Sequence, residues 1–169
     1  MRPATAILYV ILCILTSCIH DKPEGADLAV TDNIPDFSVT MNDGKVVTGE
    51  QLRDGISVVV FFTTKCPDCQ TTLPHLQRLY DEYQPQGVKF ALISREDGED
   101  SVAQYWAEND LTMPYSAQND RKIYEKFATS RVPRVYLCRF GTIKYIFTDD
   151  PNPTYDIMSE RLQGLMIKF

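Results

Sequence analysis

The chain has 169 residues, 44% of them hydrophobic, and its 1 Trp, 9 Tyr and 8 Phe can fill one sizeable core. With 17 Lys and Arg against 23 Asp and Glu the formal charge is −6, and no basic block occurs anywhere, which argues against nucleic acid as a partner. Five cysteines are too few for a disulfide scaffold at this length, so their positions carry more information than their number.

In chain order, Arg2 precedes an almost wholly apolar run over 4–15. That run is short of the roughly 20 residues a membrane span needs. It ends in Leu15-Thr16-Ser17-Cys18, which resembles the lipobox of bacterial lipoproteins. The resemblance implies that residues 1–17 are a signal peptide and that Cys18 carries lipid. The chain would then be anchored in the bacterial cell envelope, facing the periplasm, where disulfides form and persist. The plainer alternative is a secretory signal in which Cys18 is incidental. Residues 18–33, with Pro23, Gly25 and several acids, have the composition of a flexible tether. A single domain is expected over 34–169.

Phe37-Ser38-Val39-Thr40-Met41 alternates as a strand, Asn42-Asp43-Gly44 turns, and Lys45-Val46-Val47 returns. Thr48-Gly49-Glu50-Gln51 has the capping-box spacing of a short helix. The run over 56–62 is apolar nearly throughout, as for a strand covered on both faces. Leu73, Leu76, Leu79, Tyr80 and Tyr83 then recur at helical spacing, with Pro74 expected to interrupt and kink that helix. Residues 88–93 predict a buried strand. Helices are predicted from Asp100 or Ser101 through Trp106, and from Asn119 or Asp120 through Phe127. A hairpin over 134–147 and a closing amphipathic helix through Tyr155, Met158 and Leu162 complete the order. This alternation predicts an α/β fold, a mixed sheet flanked by helices with an N-terminal β-hairpin extension.

Cys66-Pro67-Asp68-Cys69 lies where the central strand hands over to the long helix. A helix N-terminus offers unpaired N–H groups and the positive end of the dipole, which favour an anion, and the thiolate is the reactive form of cysteine. The motif therefore predicts a redox dithiol. Pro67 suits the first helical turn. The charge of Asp68 suits the dipole but opposes a nearby thiolate, whereas Lys65 would support one. These three residues are the expected redox-tuning positions.

The chain resembles the thioredoxin superfamily, and within it the envelope-anchored TlpA/ResA-like thiol-disulfide oxidoreductases. The resemblance rests on Pro35-Asp36-Phe37, on Phe61 through Cys69 with Pro74 behind, on Gly87-Val88-Lys89-Phe90, and on Val132-Pro133 ahead of a hairpin with Gly141 in its turn. It implies Cys66 as attacking nucleophile and Cys69 as resolving thiol, with no cofactor beyond their reversible disulfide. It also implies a cis Pro133 facing the dithiol and a Val132 backbone that pairs with an extended substrate peptide. Partners would be disulfide-containing protein substrates and an upstream membrane thiol donor, with membrane attachment through Cys18. The pair is expected to work as a reductant.

Two acids of the resembled pattern are missing. Val60 stands six residues before Cys66 and Thr72 three after Cys69, where relatives carry carboxyls, so the proton of Cys69 needs another route. Lys65 also replaces the Trp usual before the first cysteine. Three other readings compete. Zinc wants four ligands, and only Cys138, His75 and His20 could join the pair, so no metal is expected. A peroxiredoxin-like thiol peroxidase would use Cys66, with Thr63 in place but Val59 where that family has Pro. A non-catalytic domain with a structural Cys66–Cys69 disulfide would gain little stability from so short a loop. The acids Glu96, Asp97, Glu99 and Asp100 are expected to form a solvated loop.

Overall fold

The computed structural model describes residues 26–167. Strands β1 (Ser38–Thr40) and β2 (Val46–Thr48) form an antiparallel hairpin. Helix α1 (Gly49–Leu52) starts with the full capping box: the Thr48 hydroxyl accepts from Gln51 N, and the Gln51 side chain accepts from Thr48 N. Strand β3 (Ile56–Phe62) is buried from Ser57 onward. It pairs in parallel with β4 (Lys89–Ser94) and antiparallel with β6 (Arg134–Arg139). Strands β5 (Tyr115–Ser116) and β7 (Thr142–Phe147) extend the sheet to the order β5-β4-β3-β6-β7. The longer helices are α2 (Pro67–Tyr83), α3 (Glu99–Glu108) and α4 (Tyr155–Met166).

Neighbouring residues of β3 serve opposite faces of the sheet. Phe61 meets the rings of Tyr124, Phe127 and Tyr136 at centroid distances of 5.4, 4.9 and 6.4 Å. Phe62 meets Trp106 of α3 at 5.0 Å. Helices α2 and α4 pack together: the Tyr83 and Ser159 hydroxyls are 2.6 Å apart, and the Arg78 guanidinium lies 3.5 Å over the Tyr155 ring.

Strand register decides where the loops go. Phe62 pairs with Ser94, Phe61 with Arg134, and Val135 with Phe147. The chain leaving β3, β4 and β7 and the chain entering β6 therefore meet at one end of the sheet. Loops beyond strand ends of this kind are where α/β sheets place their sites.

Four expectations change. The helix predicted from Asn119 or Asp120 is only a 3-10 turn over Tyr124–Lys126. Asp120 turns back to accept from Lys122 N at 3.0 Å, and the Tyr124 hydroxyl donates to Arg131 O at 2.8 Å, so the segment is spent reaching β6. Strand β5 has no counterpart in the sequence reading, because two residues carry no periodic signal and its ladder exists only against β4. Helix α2 continues through Pro74 instead of being interrupted. Part of the expected tether is packed: Leu28 N donates to Phe127 O at 2.8 Å, Thr31 N to Ile143 O at 2.9 Å, and Ile143 N to Asp32 O at 2.8 Å. The folded chain thus begins before Ile34. The expected signal peptide, Cys18 and the first part of the expected tether lie outside the described residues.

Candidate active site

Cys66 is the N-cap of α2, with extended backbone (φ −86, ψ 121), and Pro67 follows inside the first turn. The Cys66 carbonyl accepts from Gln70 N at 3.0 Å. Its half-buried thiol donates to the Val132 carbonyl at 3.4 Å. The Val132–Pro133 peptide is cis. Cys69, one turn along, is fully buried, and all three described cysteines are free thiols. Burial pushes the Cys69 thiol far above the ordinary thiol range, and the charges of Cys66 and Asp68 add to that against one backbone hydrogen bond at Thr63.

The loop before the motif is pinned by the loop that follows β4. Thr64 donates to Asp97 Oδ2 twice, from its N–H at 2.5 Å and from its hydroxyl at 2.9 Å. Gln70 Nε2 donates to Thr64 O at 2.8 Å, fixing the loop to the helix it precedes. Ser94 Oγ donates to Asp97 O at 2.6 Å, so Asp97 is itself held. Asp97 is therefore a structural clamp and not one of a group of solvated acids. Nothing in the local sequence separates it from Glu96 or Asp100; only the parallel register of β3 and β4 brings it to Thr64.

The opposite rim is the 148–154 loop leaving β7. Asn152 Nδ2 donates to Asp68 Oδ1 at 2.9 Å. Arg131 reaches Asp149 at 3.4 Å and joins this loop to the one carrying Val132. Beneath Val132, the Arg134 guanidinium is 6% exposed and pairs with Asp27 at 2.7 Å. Asp27 also accepts from Thr129 N at 2.7 Å and Thr129 Oγ1 at 2.8 Å.

Of the residues singled out from sequence, Lys65, Cys66, Pro67, Asp68, Cys69, Val132 and Pro133 converge here. Lys65 and Pro67 are exposed, and Asp68 is half-buried. Cys138 is buried on β6 opposite Ser57, toward the other end of β3. His75 is half-buried on α2, and Cys18 and His20 lie outside the described residues. Val60 is fully buried, and the buried Thr72 hydroxyl has no hydrogen-bond partner. Neither position supplies an acid to Cys69.

The AhpC/TSA family model matches residues 30–149. The chain belongs to the AhpC/TSA family. This AhpC/TSA chain is 26% identical over 142 residues to the thiol-disulfide oxidoreductase ResA of Oceanobacillus iheyensis, covering 82% of this chain and 74% of that one. It is 26% identical over 147 residues to ResA of Geobacillus kaustophilus, covering 85% and 84%. Its fold matches the solution structure of a putative protein disulfide isomerase from Bacteroides thetaiotaomicron with a TM-score of 0.74 at 20% identity, covering 85% and 92%. StoA from Bacillus subtilis matches with a TM-score of 0.64 at 20% identity, covering 75% and 96%. The fold is thioredoxin-like, and the N-terminal hairpin expected from the sequence is present.

Proposed function

We propose that this chain is a thiol-disulfide oxidoreductase of the bacterial cell envelope. In this reading its Cys66/Cys69 dithiol reduces disulfides in protein substrates. One observation carries it. Cys66 is the N-cap residue of α2 and its sulfur lies 3.4 Å from the Val132 carbonyl, with a second, buried thiol one turn behind.

The Cys66 thiolate attacks one sulfur of a substrate disulfide. The substrate S–S bond breaks, a mixed disulfide forms, and the leaving sulfur departs with the electron pair and takes a proton. Cys69 then loses its proton and attacks the Cys66 sulfur, releasing the second substrate sulfur as a thiol. The substrate gains two electrons and two protons. The protein ends with a Cys66–Cys69 disulfide, and an upstream membrane thiol donor restores it. No cofactor beyond that disulfide is required. The Val132 backbone beside Pro133 would pair with the substrate chain as an added strand. The charge of Asp68, between the two cysteines in the motif, disfavours a thiolate and so favours the disulfide form and a reducing role.

Lipid on Cys18 would hold the domain at the membrane, a reading supported by Leu15-Thr16-Ser17-Cys18. Among the described residues no helix is long and apolar enough to cross a membrane.

The test is insulin reduction with a dithiol as electron source. The wild-type chain should precipitate insulin, and Cys66→Ser should not. Cys69→Ala should retain substrates as mixed disulfides on Cys66, and identifying them would name the pathway. Cys66-dependent peroxide consumption without disulfide exchange would favour the peroxidase reading instead.

A further inference from the structure

Asp68 lies between the two cysteines, and its carboxylate is not left to solvent. Its Oδ1 accepts from Asn152 Nδ2 at 2.9 Å across 84 residues of sequence. The other end of that amide, Asn152 Oδ1, is buried without a hydrogen-bond partner. Turning the amide over would leave its nitrogen unmet and set two oxygens against each other, so Asp68 dictates the orientation. A buried acceptor left unmet is costly, which marks this asparagine as something other than filler. Its support is stiff: Pro151 and Pro153 flank it, Pro153 is buried, and Asp149 is tied to Arg131.

We propose that Asn152 is a positioning residue for the Asp68 carboxylate and thereby sets how readily the Cys66–Cys69 dithiol gives up its electrons. The inference rests on the thiol-disulfide reading above. A carboxylate two residues on from Cys66 disfavours a thiolate there, and with it the reduced form of the pair. The field of Asp68 reaches into the motif: after burial and Cys66 it adds to what pushes the Cys69 thiol up. An N–H donor on the carboxylate withdraws part of that charge and holds it toward the 148–154 loop. Asn152 therefore makes the pair less reducing than Asp68 alone would. Without the donor the dithiol is disfavoured, and the protein becomes a stronger reductant. The Lys65 cation, exposed on the sequence side of Cys66, is unaffected by this contact.

The experiment equilibrates the full chain with dithiothreitol buffers of known ratio and reads the fraction reduced. Asn152→Ala should shift the exchange constant roughly 3–10-fold toward oxidised protein, and Asn152→Asp more than tenfold, each tenfold being about 30 mV for a two-electron couple. In an Asp68→Asn background the effect of Asn152→Ala should fall within about twofold, because the two act through one contact. Unchanged constants in both Asn152→Ala and Asn152→Asp would overturn the proposal, as would a shift that persists in Asp68→Asn. A purely structural role would lower the melting temperature and leave the constant alone. If Asn152→Ala does not fold, Asn152→Ser and Asn152→Asp carry the same comparison. A wild-type chain that does not exchange with dithiothreitol at all would sink the underlying reading; exchange without dependence on Asn152 sinks only this one.

Discussion

Cys66 and Cys69 occupy successive turns of one helix yet meet opposite surroundings. Cys66 is half-buried and bonded to a backbone carbonyl; Cys69 is fully buried, with no carboxyl at Val60 or Thr72 to take its proton. At neutral pH Cys69 is thus overwhelmingly a thiol, and the thiolate fraction rises about tenfold per pH unit until the raised value is reached. The rate at which Cys69 resolves a preformed Cys66 mixed disulfide should therefore keep climbing past pH 9. Stopped-flow release of a fluorescent thiol would measure it, and a plateau near the ordinary thiol range of about 8.5 would contradict the burial argument. At this scale the motif was legible because its residues are covalent neighbours. Asn152 was not, because Pro151-Asn152-Pro153 reads in sequence only as a chain break.

At the scale of elements, the β3–α2 junction is shaped by a residue from the loop that follows β4. Asp97 holds Thr64 twice, and Thr64 in turn receives Gln70 of α2. Replacing Asp97 by Ala leaves the Thr64 N–H unmet and its hydroxyl with Ser101 Oγ alone, 3.2 Å away, and should cost about 1–3 kcal/mol in urea unfolding. A displaced Cys66 should also lower kcat/KM for insulin reduction by roughly tenfold, since small errors in placement are expensive for a bond-exchanging sulfur. Asp97→Asn, which keeps an acceptor, should recover most of both. Hydrophobic patterning located β3, as a continuous apolar run, and α2, α3, α4 and the last hairpin. It failed over 119–128, where Tyr124 and Phe127 are buried as their spacing suggests but the backbone forms only a 3-10 turn. The pattern records which side chains are buried, not which backbone carries them.

For the molecule as a whole, the described segment ahead of Ile34, residues 26–33, is part of the fold. Asp27 pairs with the buried Arg134 guanidinium and with Thr129, on either side of Val132. Burial alone would push the Asp27 carboxyl up, but the hydrogen bonds from Thr129 and Arg134 outweigh it and hold it below the usual carboxylate range. A lowered carboxyl adds stability above its unfolded value of about 3.9, and that stability is lost as pH falls through the lower folded value. The stability gap between wild type and Asp27→Ala should thus be about 1–2 kcal/mol at pH 7, the low end for a pair with a buried member because water still reaches Asp27, and should close below about pH 4. Relative to a chain starting at Ala26, one starting at Ile34 should lose stability in thermal melting and bind peptide substrates more weakly, having lost both Leu28 packing and the brace under Val132. Equal melting curves for the two chains would refute this.

Composition, strand alternation and the Cys66–Cys69 spacing were enough to determine an α/β fold with its dithiol at a strand-to-helix junction, because each of those signals lies within a few consecutive residues. The Asp97 clamp, the Asn152 contact and the Asp27 brace were decided only in three dimensions. Parallel pairing of β4 and antiparallel pairing of β6 and β7 carry distant loops to the same end of β3, and no local pattern encodes which polar atoms then come within bonding distance.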